Sequence, residues 1–390
     1  MKIKKKLLIY QTSMRVGGTE KSLLNFVNYF KYDFDIDVLI GTRVQNDETM
    51  IKSLEDVNVV FLNSKIYDLM FGIVDWSNRK KVGICDRFLF FMIKILSKLG
   101  LKNKIIKWVA SKKKNILSNY DYYLVYNIYQ PDGPLLLSHY TKRMLALVHG
   151  DPQNHNYNFL INNFNDNIKF LAVSKGCAEL MKQTYPNIKD LDYLNNFFNK
   201  KEVLVKKDLF CPKYNKNVIN LVTAARLVEQ KAYMRSLSIF KKLINEGYVN
   251  FCWNIIGDGC DREKIEGFIR ENNMENFVTL HGNQTNPFPY MKGADLFYLG
   301  SYHEVAPMVY AESMTCGTPV LSTEICNGTA SDMIGDYGFV CENNEKAIYN
   351  ALKEILDNPK LIEEKRKLLI NYEYDNEKIK QQFMKIIGEI

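Results

Sequence analysis

Short apolar runs rich in branched and aromatic residues alternate along this chain with longer stretches whose apolar positions recur at helical spacing. The runs Lys6–Tyr10, Ile36–Ile40, Val59–Leu62, Tyr122–Tyr126, Arg143–Val148 and Ile168–Val173 predict strands, and a helix over Thr19–Phe30 follows two glycines. After Cys211-Pro212 the rhythm restarts with strand Val218–Thr223, helix Tyr233–Asn245, strand Phe251–Ile256 and helix Asp261–Asn272. Strands Phe277–Leu280 and Leu296–Leu299, helix Pro307–Cys316, strand Pro319–Ser322 and helices Glu345–Leu356 and Asn376–Ile387 complete it. Strands alternating with helices imply parallel sheets joined by right-handed crossovers, and two successive series imply two doubly wound α/β domains. The polar stretch Asn199–Asn217 is the expected linker. Ligands of such sheets bind outside the carboxyl ends of the strands, so the expected site is a cleft between the domains.

The 390 residues suit two domains, and a composition of 46% hydrophobic and 25% charged residues excludes disorder and a polytopic membrane protein. Charge sharpens the picture. The net +8 is uneven: residues 1–200 hold 29 basic and 18 acidic side chains, residues 201–390 hold 23 and 26. Twelve of the basic residues fall in segment 79–114 with a single acid, Asp86, so that segment carries +11 and the remainder −3. On a helix, Arg87, Lys94 and Lys98 share one side, while Phe88, Met92, Ile95 and Leu99 lie on another with Leu89 and Leu96. A second basic stretch with Trp108 follows. Such a basic amphipathic helix lies on an anionic membrane surface, packs its apolar face on its own domain, or does both. No nucleic-acid recognition motif accompanies the charge. The basic start is followed by too short an apolar run for a signal peptide, no stretch has the length of a membrane span, and the eight cysteines form no C-x-x-C pair. These features predict a cytoplasmic protein, peripheral at the inner face of the membrane, with no metal and no disulfide frame.

Several clusters sit where strand turns into helix. Gly17-Gly18-Thr19 offers either a tight turn or an anion site at a helix start. It is not a P-loop, since Glu20 stands where the glycine before Lys21 is required. Arg226 and Lys231, after strand Val218–Thr223, can grip a diphosphate or form a solvated loop. Gly257-Asp258-Gly259 is a tight turn. Glu304 and Glu312 flank Pro307, expected at the first position of its helix, which puts Glu312 on the second turn. Two carboxylates in so apolar a context need partners. His149, in Val148-His149-Gly150-Asp151, ends a strand as either a structural or a site-facing histidine.

Taken together, Thr223–Lys231, Ile256-Gly257-Asp258-Gly259, Leu280-His281-Gly282 with Asn286-Pro287, and the run from Glu304 through Glu312 to Gly317-Thr318-Pro319 resemble the retaining glycosyltransferases of glycosyltransferase family 4 over residues 218–335. Gly17–Ser22 and His149-Gly150-Asp151 extend the resemblance weakly into the first half. It implies GT-B architecture: an acceptor domain over 1–200, a nucleotide-sugar domain over 201–375, and residues 376–390 returning to the first. It further implies Arg226 and Lys231 on the donor diphosphate, Glu312 on the ribose, Glu304 on the donor sugar, and His149 lining the sugar side. Gly17, Gly18, Gly257 and Asp258 would lie near the donor, and backbone N–H groups around Ala306, Met308 and Val309 would assist. The implied donor is a nucleotide sugar, UDP-linked first among the candidates. The implied acceptor is a lipid-linked or growing cell-surface glycan, of the kind built into capsule or lipopolysaccharide, and no cofactor is implied. Val305 and Ala232 depart from the family, which usually has glycine at both positions. The alternative is a non-catalytic nucleotide-sugar-binding partner subunit.

Overall fold

The computed structural model describes residues 4–43, 46–71, 84–129 and 131–388. The chain divides into two compact units, Met1–Phe197 with Glu377–Ile390, and Phe198–Asn376.

Unit 1 holds a seven-stranded sheet, ordered β3-β2-β1-β4-β5-β6-β7, in which every pair is parallel. Its strands are β1 (Lys5–Gln11), β2 (Phe34–Ile40), β3 (Asn58–Phe61), β4 (Tyr122–Val125), β5 (Met144–Val148), β6 (Ile168–Ala172) and β7 (Leu191–Tyr193). Leu7, Leu8, Ile9, Leu124, Val125, Leu145 and Ala146 have no exposed surface. Burial on both faces accounts for near-continuous apolar runs in place of alternation. Helix Asn376–Gly388 joins this unit: Phe383 is fully buried, with its ring 5.1 Å from Phe26 and 4.7 Å from Phe30.

Unit 2 holds a six-stranded parallel sheet, ordered β10-β9-β8-β11-β12-β13. Its strands are β8 (Ile219–Ala224), β9 (Phe251–Ile256), β10 (Val278–Gly282), β11 (Leu296–Leu299), β12 (Val320–Thr323) and β13 (Gly338–Cys341). Side chains alternate between faces. Leu221, Trp253, Ile255, Leu296 and Tyr298 join one core with helices Tyr233–Asn245, Arg262–Glu271 and Glu345–Asp357, whereas Val222, Ile256, Phe297 and Leu299 join another with helices Phe288–Gly293 and Val309–Thr315. Trp253 Nε1 donates to Thr223 Oγ1 at 2.9 Å, which satisfies the one polar atom of a large buried ring.

Three expectations need correction. The stretch expected as linker contains helix Lys200–Lys206, started by the Asn199 side chain accepting from Glu202 N–H and held by buried Val203. The strands β7 and β13 lie at sheet edges and were not legible, because each is short and only partly buried. The helix expected from Pro307 begins at Val309 and runs seven residues. Pro307 O instead accepts from Tyr310 N–H in a tighter turn, and the first helical bond runs from Glu312 N–H to Met308 O, so Glu312 lies on the first turn.

Candidate functional site

In unit 2 the candidate residues follow the carboxyl ends of β8, β9 and β11. The strands β8 and β11 are neighbours where the strand order reverses, the switch point at which such sheets bind ligands. The turn after β8 lies directly on the turn after β9. Ala225 N–H donates to Ile256 O at 3.0 Å, Leu227 N–H to Asp258 O at 3.0 Å, and Gly257 N–H to Gly282 O at 2.8 Å. A Cβ on Gly257 would stand 2.0 Å from the Ala225 carbonyl oxygen, and one on Gly259 2.3 Å from that of Leu227. The Gly-Asp-Gly sequence is thus required by backbone packed on backbone. Asp258 is exposed; its carboxylate accepts from Gly259 N–H at 2.8 Å and pairs with Arg262 at 3.2 Å. Arg226, one residue into the same turn, is exposed.

Lys231 closes the 3₁₀ turn Glu229–Lys231, and its ammonium is ion-paired with Glu304 Oε1. The two side chains are only 13% and 10% exposed, and Ser301 Oγ donates to the same carboxylate oxygen at 2.9 Å. Ala232, next in the chain, has φ +54° and ψ +37°, the left-handed region where glycine is favoured. The Glu304 charge also adds to the effect of burial in raising the Tyr233 and Tyr310 phenols. Glu312 is buried, whereas Ala306, Met308 and Val309 are half-buried at the entry to its helix.

In unit 1, Gly17 caps helix Gly18–Phe30 in an extended conformation, and its carbonyl accepts from Lys21 N–H at 3.0 Å. A Cβ on Gly18 would meet nothing within 4 Å, and one on Gly17 only the end of the Glu20 side chain, so no backbone contact demands glycine at either. His149 follows β5. It is 8% exposed, stacks on Tyr126 at 5.2 Å, and burial lowers its pKa to about 3, leaving the ring neutral. Its Nε2 is buried without a hydrogen-bond partner. Asp132 was missed from sequence. It is fully buried, its Oδ2 accepts from Tyr10 at 2.5 Å, Thr12 at 3.0 Å and Tyr67 at 3.1 Å, and burial raises its pKa. The one signal was an acid amid Pro131-Asp132-Gly133-Pro134-Leu135.

The basic segment forms helices Ile84–Lys98 and Lys102–Lys112. The first buries Ile93, with Leu89, Phe90 and Leu96 half-buried. Phe88, Phe91, Met92, Ile95 and Leu99 are exposed, Phe88 by 66% and Leu99 by 68%. The expected apolar side is thus covered along one edge, at Leu89 and Leu96, and open along the other. Lys94 and Lys98 are exposed beside this apolar face. The second helix buries Ile106, Val109 and Ala110 and exposes Lys104, Lys107 and Trp108. Arg79, Lys80, Lys81 and the Arg87 side chain lie outside the described residues. No helix among the described residues is long and apolar enough to cross a membrane.

Residues 207–375 match the family described as glycosyl transferases group 1. An uncharacterized glycosyltransferase of Methanocaldococcus jannaschii is 30% identical over 143 residues, covering 37% of this chain and 34% of the relative. The N-acetylgalactosamine-N,N'-diacetylbacillosaminyl-diphospho-undecaprenol 4-alpha-N-acetylgalactosaminyltransferase of Campylobacter jejuni is 33% identical over 110 residues, 27% of this chain and 30% of the relative. The match thus spans well under half the length of either relative. Among solved structures, TarM superposes with a TM-score of 0.72 at 13% identity, covering 99% of each chain. HepE of Anabaena, in complex with UDP and glucose, gives 0.66 at 14% identity, covering 99% of this chain and 100% of its own. The fold, two parallel-sheet α/β units of seven and six strands, is of GT-B type.

Proposed function

We propose that this protein is a retaining glycosyltransferase that moves a sugar from a nucleotide-diphosphate sugar to a hydroxyl of a lipid-linked or growing glycan. The observation that carries the reading is the partly buried Lys231–Glu304 pair, with exposed Arg226 nearby in sequence, at the switch point of unit 2. Arg226 and Lys231 bind the donor diphosphate and meet the negative charge that grows as the bond from the anomeric carbon to phosphate oxygen breaks. That electron pair stays on the diphosphate. The acceptor hydroxyl attacks from the same side, the new carbon–oxygen bond forms, and the hydroxyl proton passes to the diphosphate oxygen. Configuration is retained with no metal in any step. Glu304 holds the sugar hydroxyls and Glu312 the ribose. HepE binding UDP and glucose, and the Campylobacter enzyme named for a diphospho-undecaprenol acceptor, support a UDP-linked donor and a lipid-linked acceptor.

The test is release of UDP or GDP that depends on an added glycan acceptor, after a thermal-shift screen of UDP-, GDP- and dTDP-sugars selects the donor. Near-normal turnover by Lys231→Ala would sink the diphosphate assignment.

The same reading puts the protein at an anionic membrane surface. Four exposed apolar side chains on helix Ile84–Lys98 and Leu99 just after it, flanked by Lys94 and Lys98, with Trp108 exposed on the next helix, support it. Each cation near anionic lipid contributes about 1 kcal/mol. Flotation with phosphatidylglycerol vesicles should fall sharply in Phe88→Ser/Phe91→Ser and in Lys94→Glu/Lys98→Glu. Unchanged flotation in both would refute it.

A further inference from the structure

We infer that Arg235 is the positioning residue for Glu304, acting through the backbone of the loop that follows β11; the inference rests on the donor-sugar role of Glu304 proposed above. Four consecutive carbonyls of that loop, from Gly300 to His303, each accept a hydrogen bond from a side chain outside it. Arg235 Nη2 donates to Gly300 O at 2.6 Å and to Ser301 O at 3.3 Å. Asn343 Nδ2 donates to Ser301 O at 3.2 Å and to Tyr302 O at 2.7 Å. Thr323 Oγ1 reaches Ser301 O at 3.1 Å, and Gln230 Nε2 reaches His303 O at 2.8 Å. The loop in turn donates from Tyr302 N–H to Gln230 O at 2.9 Å. Arg235 also donates to Asn343 Oδ1 at 2.8 Å, so the two clamping side chains fix each other.

Two features set Arg235 apart from an ordinary stabilising contact. It is 8% exposed, yet its bonding partners are carbonyl and amide oxygens, with the Tyr302 ring 4.4 Å from the guanidinium carbon. A buried cation held without a carboxylate is expensive, and neutral side chains such as Asn343 can hold carbonyls without that cost. Its Nε is buried and finds no acceptor, so the placement serves the loop rather than the arginine. The clamp also shares a short segment with the site. Gln230, Lys231 and Arg235 lie within six residues, so one stretch of chain carries the cation paired with Glu304 and two of the groups fixing the Glu304 loop. Ångström-scale misplacement is enough to impair a group that must meet specific hydroxyls.

The test uses the full chain and its Arg235→Gln and Arg235→Lys variants. Amide exchange should show residues 300–304 losing protection by about tenfold in Arg235→Gln, with β9 unchanged. Calorimetric titration should show UDP affinity within about twofold of wild type, whereas the extra affinity that UDP-glucose, UDP-galactose or their N-acetyl analogues have over UDP is lost. Arg235→Lys, which keeps the charge and a donor, should recover part of that increment. Unchanged exchange in the loop overturns the inference, as does loss of UDP and UDP-sugar binding in equal proportion. If wild type binds none of the UDP, GDP or dTDP compounds, the donor reading itself falls and this role falls with it. The exchange data then separate that failure from the absence of a clamp.

Discussion

Gly257→Ala isolates the steric argument for the donor-side turn. The new Cβ would stand 2.0 Å from the Ala225 carbonyl oxygen, where real Cβ contacts below 3.0 Å essentially do not occur, so one of the two turns must retreat by about an ångström. The backbone there has φ +146°, a region that L side chains rarely adopt. Strain of about 1–3 kcal/mol from conformation and about 1–3 kcal/mol from overpacking add to a loss of roughly 2–6 kcal/mol. For a unit of this size that lowers Tm by about 4–24 °C. Gly267→Ala supplies the control. It lies inside helix Arg262–Glu271 with nothing within 4 Å of its Cβ, and should stabilise by about 0.5–1 kcal/mol. Scanning calorimetry of both full-length variants against wild type decides the matter, because composition changes identically in each. Because Arg226 follows Ala225 in one of the two turns that must part, UDP affinity should fall in Gly257→Ala alone. Melting of the two variants within about 2 °C of each other would refute the backbone-contact argument.

Further outcomes follow from the same geometry. Burial holds the His149 pKa near about 3, below its unfolded value of 6.5, so its stabilising contribution is complete above pH 6.5 and is lost as pH falls toward the folded value. Between pH 6.5 and 5 this costs about 2 kcal/mol, and urea titrations should show a shallower pH slope in His149→Gln. Glu304→Gln should abolish transfer while tightening UDP binding by several-fold, about 1 kcal/mol, because Lys231 no longer has a competing carboxylate; weaker UDP binding by titration would contradict this. Ala232→Gly relieves about 1–2 kcal/mol of left-handed strain but loses a buried methyl and chain entropy of similar size, so its Tm should stay close to wild type, whereas Ala232→Val should lose more than about 2 kcal/mol.

Much of the fold was legible because most central strands are short apolar runs closed by charged or glycine-rich turns. Phe251–Ile256, Leu296–Leu299 and Tyr233–Asn245 have the bounds their periodicity predicts. Legibility failed where tertiary context decides. Edge strands β7 and β13 bury too little to impose a pattern. Pro307 marks a turn before its helix, a distinction set by which carbonyl the next amides find. Within the candidate site, charged residues near strand ends were visible, and the structure adds the pairing of Lys231 with Glu304. Arg235 and Asn343 were invisible because 108 residues separate them and their shared acceptors are backbone atoms, which no side-chain pattern encodes. Which edge of the apolar side of helix Ile84–Lys98 is covered was likewise unreadable, since the sequence does not say which apolar residues find a neighbour.

The return of helix Asn376–Gly388 to unit 1 bears on the order in which the chain acquires structure. The chain enters unit 2 at Phe198 and leaves it at Asn376, and these two residues are bonded to each other, Phe198 N–H to Asn376 Oδ1 at 3.0 Å and Asn376 Nδ2 to Phe198 O at 2.8 Å. Unit 2 is therefore a closed insertion, complete once residue 376 has been made. Unit 1 is discontinuous, and its aromatic core around Phe26 and Phe30 lacks Phe383 until helix Asn376–Gly388 has been made. During translation the second unit can finish folding first, while the first waits, nearly assembled, with an apolar groove open for helix Asn376–Gly388.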